Sequence, residues 1–394
     1  MTHPLHQPIM DHLTAGLDAY VSDLTAVAAI DSGSHSKAGI DRVQTVFGDR
    51  LAAMGFEVDR QENAAWGDDL VARRRGTGKG RVLLTGHADT VYPDGTAAVR
   101  PVRLEGDRLY GPGTCDMAAG ILSGIAAVAA LDAAGWDDYG LITFLVVSDE
   151  EIETRHSVGL LREEGARHDA VLTLEAARAN GDIVTARKAT RGVVVEARGR
   201  AAHAGVEPEK GASATLALSH VIVESFALNG RTPCATVNPG KIAGGGPANV
   251  VADQAEVVLD LRAWTGAELD ELVAALQTIV DAEWVAGCTQ SMRLAGDGGM
   301  PAMEHTPGTA RLEAMAIAVA ADLGFALKGA STGGGSDISH AVSSGTPGLD
   351  GLGPIGGDDH GPGEYIELSS VAPRGALLAL LIVGICADPE LARD

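Results

Sequence analysis

Three consecutive carboxylates, Asp149-Glu150-Glu151, follow the almost wholly apolar run Leu141–Val147, and they would repel one another unless cations or solvent relieved them. A second apolar run ends differently. In Leu83–Val91, read LLTGHADTV, His87 and Asp89 stand one residue apart. Side chains alternate along a strand, so the two point the same way. An imidazole holding a metal through one nitrogen would then find Asp89 behind the other. Glu175 ends a third run, from Ala170 to Leu174, Asp116 closes a glycine-proline turn where a helix begins, and His360 lies in a glycine-rich stretch. A pair of hard-to-borderline divalent cations needs terminal ligands on each side and a carboxylate between them. His87, Asp116, Glu151, Glu175 and His360 supply five candidates of the types zinc takes. That leaves Glu150 spare, beside a ligand and suited to take a proton from an activated water and return it to a leaving amine. A peptide or amide bond is the natural target. His203, in AAHAG, is a candidate for further charge stabilisation, and Arg262, in LDLRAW, for anchoring the substrate.

The elements that must present these residues are legible from periodicity. Apolar residues at helical spacing predict helices over residues 10–30 and 38–55, followed by strand-like Leu70–Arg74 and Arg81–Thr85. An Ala/Leu/Ile-rich helix follows Asp116 to about Ala134. Leu141–Val147 reads as a strand buried on both faces, so three strand ends present His87, Glu150/Glu151 and Glu175, where open α/β sheets build their sites. The character changes near residue 189. Strand-like Gly192–Ala197, a helix over Ser213–Leu228, strands over Thr236–Ile242 and Ala255–Arg262, a helix over 267–282 and a strand over Gln290–Leu294 form a compact α+β pattern. It interrupts the earlier style, which resumes with a helix over Thr309–Leu323. The expected fold is therefore α/β: a catalytic domain, 1–189 and 304–394, with a mixed sheet flanked by helices, interrupted by an inserted two-layer α+β sandwich, 190–303.

At 394 residues the chain is too long for one ordinary core. Its formal charge of −23 disfavours nucleic-acid and anionic-membrane partners, while leaving small anionic substrates open. Four scattered cysteines, Cys115, Cys234, Cys288 and Cys386, form no C-x-x-C pair, which argues against a disulfide framework or thiolate zinc site and fits a reducing cytoplasm. Cys115 reads as a small packing residue, and Asp149 as a solvated or supporting carboxylate. Arg187, Lys188 and Arg191 line an anionic pocket or a salt-bridged hinge. The N-terminus lacks the pattern of a signal peptide, and the longest apolar run, Ala376–Ala387, is too short to cross a bilayer as a helix.

The motifs HADTV, GPGTCDMAAG, SDEE, LEAARANG, AAHAGVEPEKGASA, GGGSD and GPIGGDDHGPGEY, in this order, resemble those of the dinuclear zinc peptidases of the aminoacylase and glutamate carboxypeptidase family, most closely its carboxypeptidase G branch. The resemblance runs from about residue 80 to 370. It implies that His87 and Glu175 hold one zinc, that Glu151 and His360 hold the other, and that Asp116 bridges them, with Co2+ or Mn2+ as substitutes. It implies a cis peptide between Asp116 and Met117, Glu150 as general base, and Asp89 behind His87. It further implies that residues 190–303 dimerise two copies, with His203 reaching the partner's site, and that Asn249, Arg262, Gly335 and Ser336 contact substrate. One departure is that Ala118 and Ala119 stand where the family often has lysine and glycine. The expected reaction is release of a C-terminal amino acid, glutamate or aspartate, from an N-acyl or peptide precursor. The alternatives are a di- or tripeptidase that needs a free amino terminus, and an inactive metal-binding relative.

Overall fold

The computed structural model describes residues 3–230, 235–296 and 299–391, which leaves Cys234 outside the described residues. The chain divides into two compact units. One comprises Met1–Thr185, His305–Thr332 and Ser336–Asp394; the other comprises Ala186–Glu304 and Gly333–Gly335.

The first unit is organised by a six-stranded mixed sheet. Its order is Glu57–Gln61, Asp69–Arg74, Leu141–Val147, Arg81–His87, Ala170–Thr173 and Gly348–Leu349. Asp69–Arg74 runs antiparallel to Leu141–Val147, whereas Arg81–His87 runs parallel to both of its neighbours, with His87 opposite Val147 and Thr85 opposite Thr173. Parallel strands end at the same edge, which explains why residues far apart in sequence converge there. Leu83, Leu84, Phe144 and Leu172 are fully buried, as expected for strands covered on both faces. Each such leucine contributes roughly 1.5–3 kcal/mol relative to exposure.

Helices cover the sheet. The helix expected over residues 10–30 is observed as His6–Ala15 and Leu17–Ala28, and the next as Lys37–Ala53. Ala119–Ala133 and Leu368–Ala387 are apolar nearly all round, the mark of helices buried on most sides. Two 20-residue segments, Thr114–Ala133 and Leu368–Ala387, are long and apolar enough to cross a membrane by length and composition. That corrects the expectation drawn from the uninterrupted apolar run, because the last helix begins before Ala376 and takes in Pro373 and Arg374. The segments are 83% and 72% buried inside the protein, so their apolar surface is spent on its core. Arg374 is itself buried and donates to the carbonyls of Gly353, Gly181 and Gly351. Gly120 lets the helix Ala119–Ala133 abut the sheet, since a Cβ there would lie 1.7 Å from the Leu174 carbonyl oxygen.

A small second sheet, of strands too short to stand out in the sequence, completes this unit. Its order is Gly356–Gly357, Tyr365–Glu367, Arg108–Tyr110 and Arg103–Glu105, with Tyr365 opposite Tyr110. This pairing brings the segment around His360 beside the segment leading to Asp116.

The second unit has a four-stranded antiparallel sheet in the order Thr236–Gly244, Gln254–Ala263, Ala189–Arg198 and Thr289–Leu294. Buried and less buried residues alternate along Gln254–Ala263, so one face carries the core. The helices Ala214–Phe226 and Gly266–Val280 pack on it, the latter started by a capping box of Thr265 and Glu268. This is the expected two-layer sandwich. The unit is wider than 190–303, because Arg187 donates to the Gly334 and Gly335 carbonyls and Arg262 donates to that of Gly333.

Candidate metal centre

At the shared edge of the parallel strands, His87 is 2% exposed. Its Nε2 lies 3.0 Å from Asp116 Oδ1 and 3.6 Å from Glu175 Oε1. The other Asp116 oxygen, Oδ2, lies 3.1 Å from Nε2 of His360, which is in turn 3.3 Å from Glu151 Oε2. Asp116 thus presents one oxygen to each imidazole, and each imidazole faces a further glutamate. His360 is held in the left-handed region, φ 63°, uncommon for a residue with a side chain. The Asp116–Met117 peptide is cis.

The charges do not balance within the protein. Burial pushes the Glu175 carboxyl well above its usual range and the negative charge of Asp116 adds to this. Glu151 is pushed up to about 8 by burial, with Asp116 and Glu150 adding and His87 opposing. The contact with Asp116 and the charge of Glu151 push His360 up to about 9. Burial would lower His87, but its bonds to Asp116 and Asp89 raise it well above an ordinary histidine. Asp116, despite its burial, is held well below the usual range by its two imidazoles. Protons must therefore supply the positive charge that three converging carboxylates demand.

A cation does so better. Ligands bound to tetrahedral zinc at 2.0–2.2 Å lie about 3.4 Å from one another. The four pairs here, at 3.0 to 3.6 Å, suit two such ions sharing Asp116. Ligand atoms of His87, Asp116 and Glu151 lie within 4.8 Å of one another. Glu151 Oε1, moreover, is buried without a hydrogen-bond partner among the described residues, a deficit that a metal ligand does not have.

Asp89 does more than stand behind His87. Its backbone carbonyl is 2.9 Å from His87 Nδ1 and its carboxylate 3.4 Å. That carboxylate accepts the N–H groups of both Glu150 and Glu151 at 3.2 Å and the Ser34 hydroxyl at 2.7 Å. It therefore joins the strand end of His87 to the short helical turn Glu150–Ile152.

Asp149, expected to be a solvated or supporting carboxylate, is fully buried, which leaves the supporting alternative. It accepts the His156 N–H at 2.8 Å and the Ser157 hydroxyl at 2.6 Å, with His156 Nδ1 at 2.8 Å, because the chain turns back on itself after Glu151. Ser336 is 1% exposed, and the neighbouring Asp337 turns inward to accept the Thr154 hydroxyl. Cys115 is a buried free thiol, as a packing residue should be.

The remaining candidates lie on the second unit. An exposed His203 and Asn249 are on adjoining segments, since the Ala204 N–H donates to the Asn249 carbonyl at 2.9 Å. Arg262 pairs with Asp260 at 2.8 Å. Gly335 offers its carbonyl to Arg187 and has no room for a Cβ, which would meet Met300 Sδ at 2.3 Å. The basic knot is dispersed: Lys188 lies over Trp264 and Arg191 pairs with Asp270.

A profile described as peptidase family M20/M25/M40 matches residues 83–383. The chain belongs to this family. Accordingly it is a metal-dependent amide-bond hydrolase. It is 29% identical to carboxypeptidase G2 of Pseudomonas sp. (strain RS-16) over 93% of this chain and 89% of that one. It is 30% identical to N-acetyl-L-citrulline deacetylase of Xanthomonas campestris pv. campestris, over 59% of this chain and 63% of that one. The crystal structure of aminopeptidase PepT from Bacillus cereus superposes with a TM-score of 0.81 at 23% identity, covering 94% and 99% of the two chains, and shares the fold of this member.

Proposed function

We propose that the chain is a dinuclear zinc hydrolase that releases a C-terminal glutamate or aspartate from an N-acyl or peptide precursor. The observation that carries the two-metal reading is Asp116, flanked at its two oxygens by His87 and His360. In this reading His87 and Glu175 hold one ion, Glu151 and His360 the other. Zinc held there would supply polarisation of the scissile carbonyl and easier deprotonation of water. Asp89 fixes the ring of His87 and, through its carboxylate, the backbone that carries Glu150. Glu150 takes the proton of the attacking water and returns it to the leaving nitrogen as the C–N bond breaks, so that an acid and a free amine result. His203 stabilises charge on the carbonyl from the partner subunit. Arg262 and Asn249 bind the substrate's carbonyl or carboxylate. The carboxypeptidase G2 relative, aligned over most of both chains, supports C-terminal release.

The test replaces Glu150 with Gln and measures zinc content together with turnover of N-acyl amino acids that differ in the C-terminal residue. Turnover should fall about 10²- to 10⁴-fold with zinc retained. Unchanged turnover with zinc bound overturns the mechanism, and exclusive turnover of free dipeptides overturns the substrate class.

The protein in this reading is a cytoplasmic homodimer. On the second unit, Leu216, Val223 and Phe226 of one helix are 52%, 66% and 59% exposed, and Ile242 of the edge strand is 62% exposed. A second copy would cover this apolar face. Sedimentation should give twice the chain mass, and a monomer at micromolar concentration overturns the dimer.

A further inference from the structure

Glu364, in GPGEY, belongs to no ligand set read from the motifs, yet it is 1% exposed and richly bonded. Its Oε1 accepts the N–H groups of Cys115 at 2.8 Å and Asp116 at 3.0 Å. Its Oε2 accepts the Gly113 N–H at 2.9 Å and lies 2.7 Å from the Tyr92 hydroxyl. That hydroxyl is also 2.9 Å from the carbonyl oxygen of Gly361, the residue after His360. Tyr92 itself follows the strand end of His87 and Asp89 by a few residues, and Arg100 lies over its ring. One carboxylate and one phenol therefore touch three segments, each carrying a candidate ligand.

The backbone around Asp116 needs such a partner. Gly113 has φ 68°, and Asp116 (φ −118°, ψ 96°) and Met117 (φ −133°, ψ 32°) are not helical, so the loop departs from a regular helical ladder. Its inward N–H groups would be orphaned without an acceptor, and a carboxylate accepting several of them is the stronger kind of bond. The turn of His360 is closed at its other side by Asp358, whose carboxylate accepts the Gly363 N–H at 2.8 Å.

We propose that Glu364 and Tyr92 are positioning residues that hold the Asp116 loop and the His360 turn as one body, fixing the spacing of the two ligands before any metal binds. The inference rests on the reading of Asp116 and His360 as metal ligands and goes beyond it, since Glu364 is occupied by backbone donors and Tyr92 by Glu364 and Gly361. Without this tie, the two segments would have to be ordered at the moment of binding, and metal affinity would bear the cost.

The two residues divide the work differently. Glu364 holds the loop of Asp116, which serves both ions, whereas the Tyr92 hydroxyl adds the link to the turn of His360, which serves one. The experiment strips the full-length protein of metal and titrates zinc against a chromophoric chelator, for Tyr92→Phe, Glu364→Gln and Glu364→Ala beside His360→Ala as reference. Tyr92→Phe should weaken one of the two zinc sites about tenfold and leave the other within about twofold, and Glu364→Ala should weaken both by about 10- to 100-fold. Glu364→Gln keeps an oxygen for Cys115 and Asp116 but sets an amide against the Gly113 N–H, so its loss should be intermediate. The zinc-free melting temperature of Tyr92→Phe should fall by no more than the loss of one hydrogen bond implies, and the rise on adding zinc should be smaller than in the parent. Should Glu364→Ala fail to fold, Tyr92→Phe and Glu364→Gln decide. If both bind two zinc ions with parental affinity while His360→Ala loses one, or if both lower the melting temperature equally with and without zinc, the positioning role is overturned. If His360→Ala itself keeps both ions, the ligand reading beneath it fails instead.

Discussion

Two clusters of acids and histidine lie on either side of the same short turn, and they behave differently. Asp69, Asp149 and His156 group as closely as His87, Asp116 and Glu151 do. In the first, Ser157 donates to Asp149 at 2.6 Å and lies 2.9 Å from Asp69, while Ser148 donates to Asp69 at 2.7 Å and His156 faces Asp149. Burial still pushes Asp69 up to about 6, yet each carboxylate has its donors. In the second, three carboxylates share two imidazoles and one buried oxygen of Glu151 has no partner among the described residues. Residue type alone therefore does not mark a metal site. What distinguishes it is a buried carboxylate oxygen left without a donor, whereas the carboxylates of the first cluster are met by hydroxyl and N–H groups.

Exchanging one residue from each cluster sharpens the contrast most. Asp116→Ala should abolish tight zinc binding and activity together, because in the proposed two-zinc reading both ions lose a ligand. Ser157→Ala should cost about 1–3 kcal/mol of stability, seen in denaturant melts, with zinc affinity and turnover little changed. If Ser157→Ala instead strips zinc while Asp116→Ala retains it, the two clusters have been given the wrong roles.

A smaller effect follows from protonation. In the zinc-free protein Glu151 is raised from 4.5 to about 8 and His360 from 6.5 to about 9. Both folded-state values lie above the unfolded ones. The folded apoprotein thus binds extra protons, and the stability they lend is present at low pH and lost as pH rises through about 8 to 9. Zinc displaces these protons, so its affinity should rise with pH over the same window. The difference in melting temperature between zinc-loaded and chelator-treated protein should accordingly widen from pH 6 to pH 9. A constant or narrowing difference would mean that these groups do not release protons to the metal.

Much of the architecture is legible before any coordinates. The runs Leu141–Val147 and Ala170–Leu174 announce buried strands by their composition, and parallel strands put their polar ends at one edge, so His87, Glu150, Glu151 and Glu175 could be nominated together. The α+β pattern after residue 189 is equally readable, because its strands alternate and its helices are amphipathic. Whether Asp149 is solvated or supporting stays open in the sequence, because composition beside a strand end says nothing of a chain that doubles back to bury it. His156 and Tyr92 carried no signal, and Glu364 stood inside GPIGGDDHGPGEY without an assigned role, since each acts through a partner distant in sequence or through backbone groups that every residue possesses.

Sequence by itself determined the kinds of groups at the centre and the order of the elements that bring them, since hydrophobic periodicity and side-chain chemistry are local properties. Tertiary structure alone decided that Asp89 would tie His87 to the Glu150 turn, that Asp149 would be sealed by Ser157 and His156 while Glu151 kept a bare oxygen, and that Glu364 would gather the loop of Asp116. The reason is physical. Whether a carboxylate is a strut, a ligand or an anchor depends on which donors reach it, and donors are delivered by strand register and loop path.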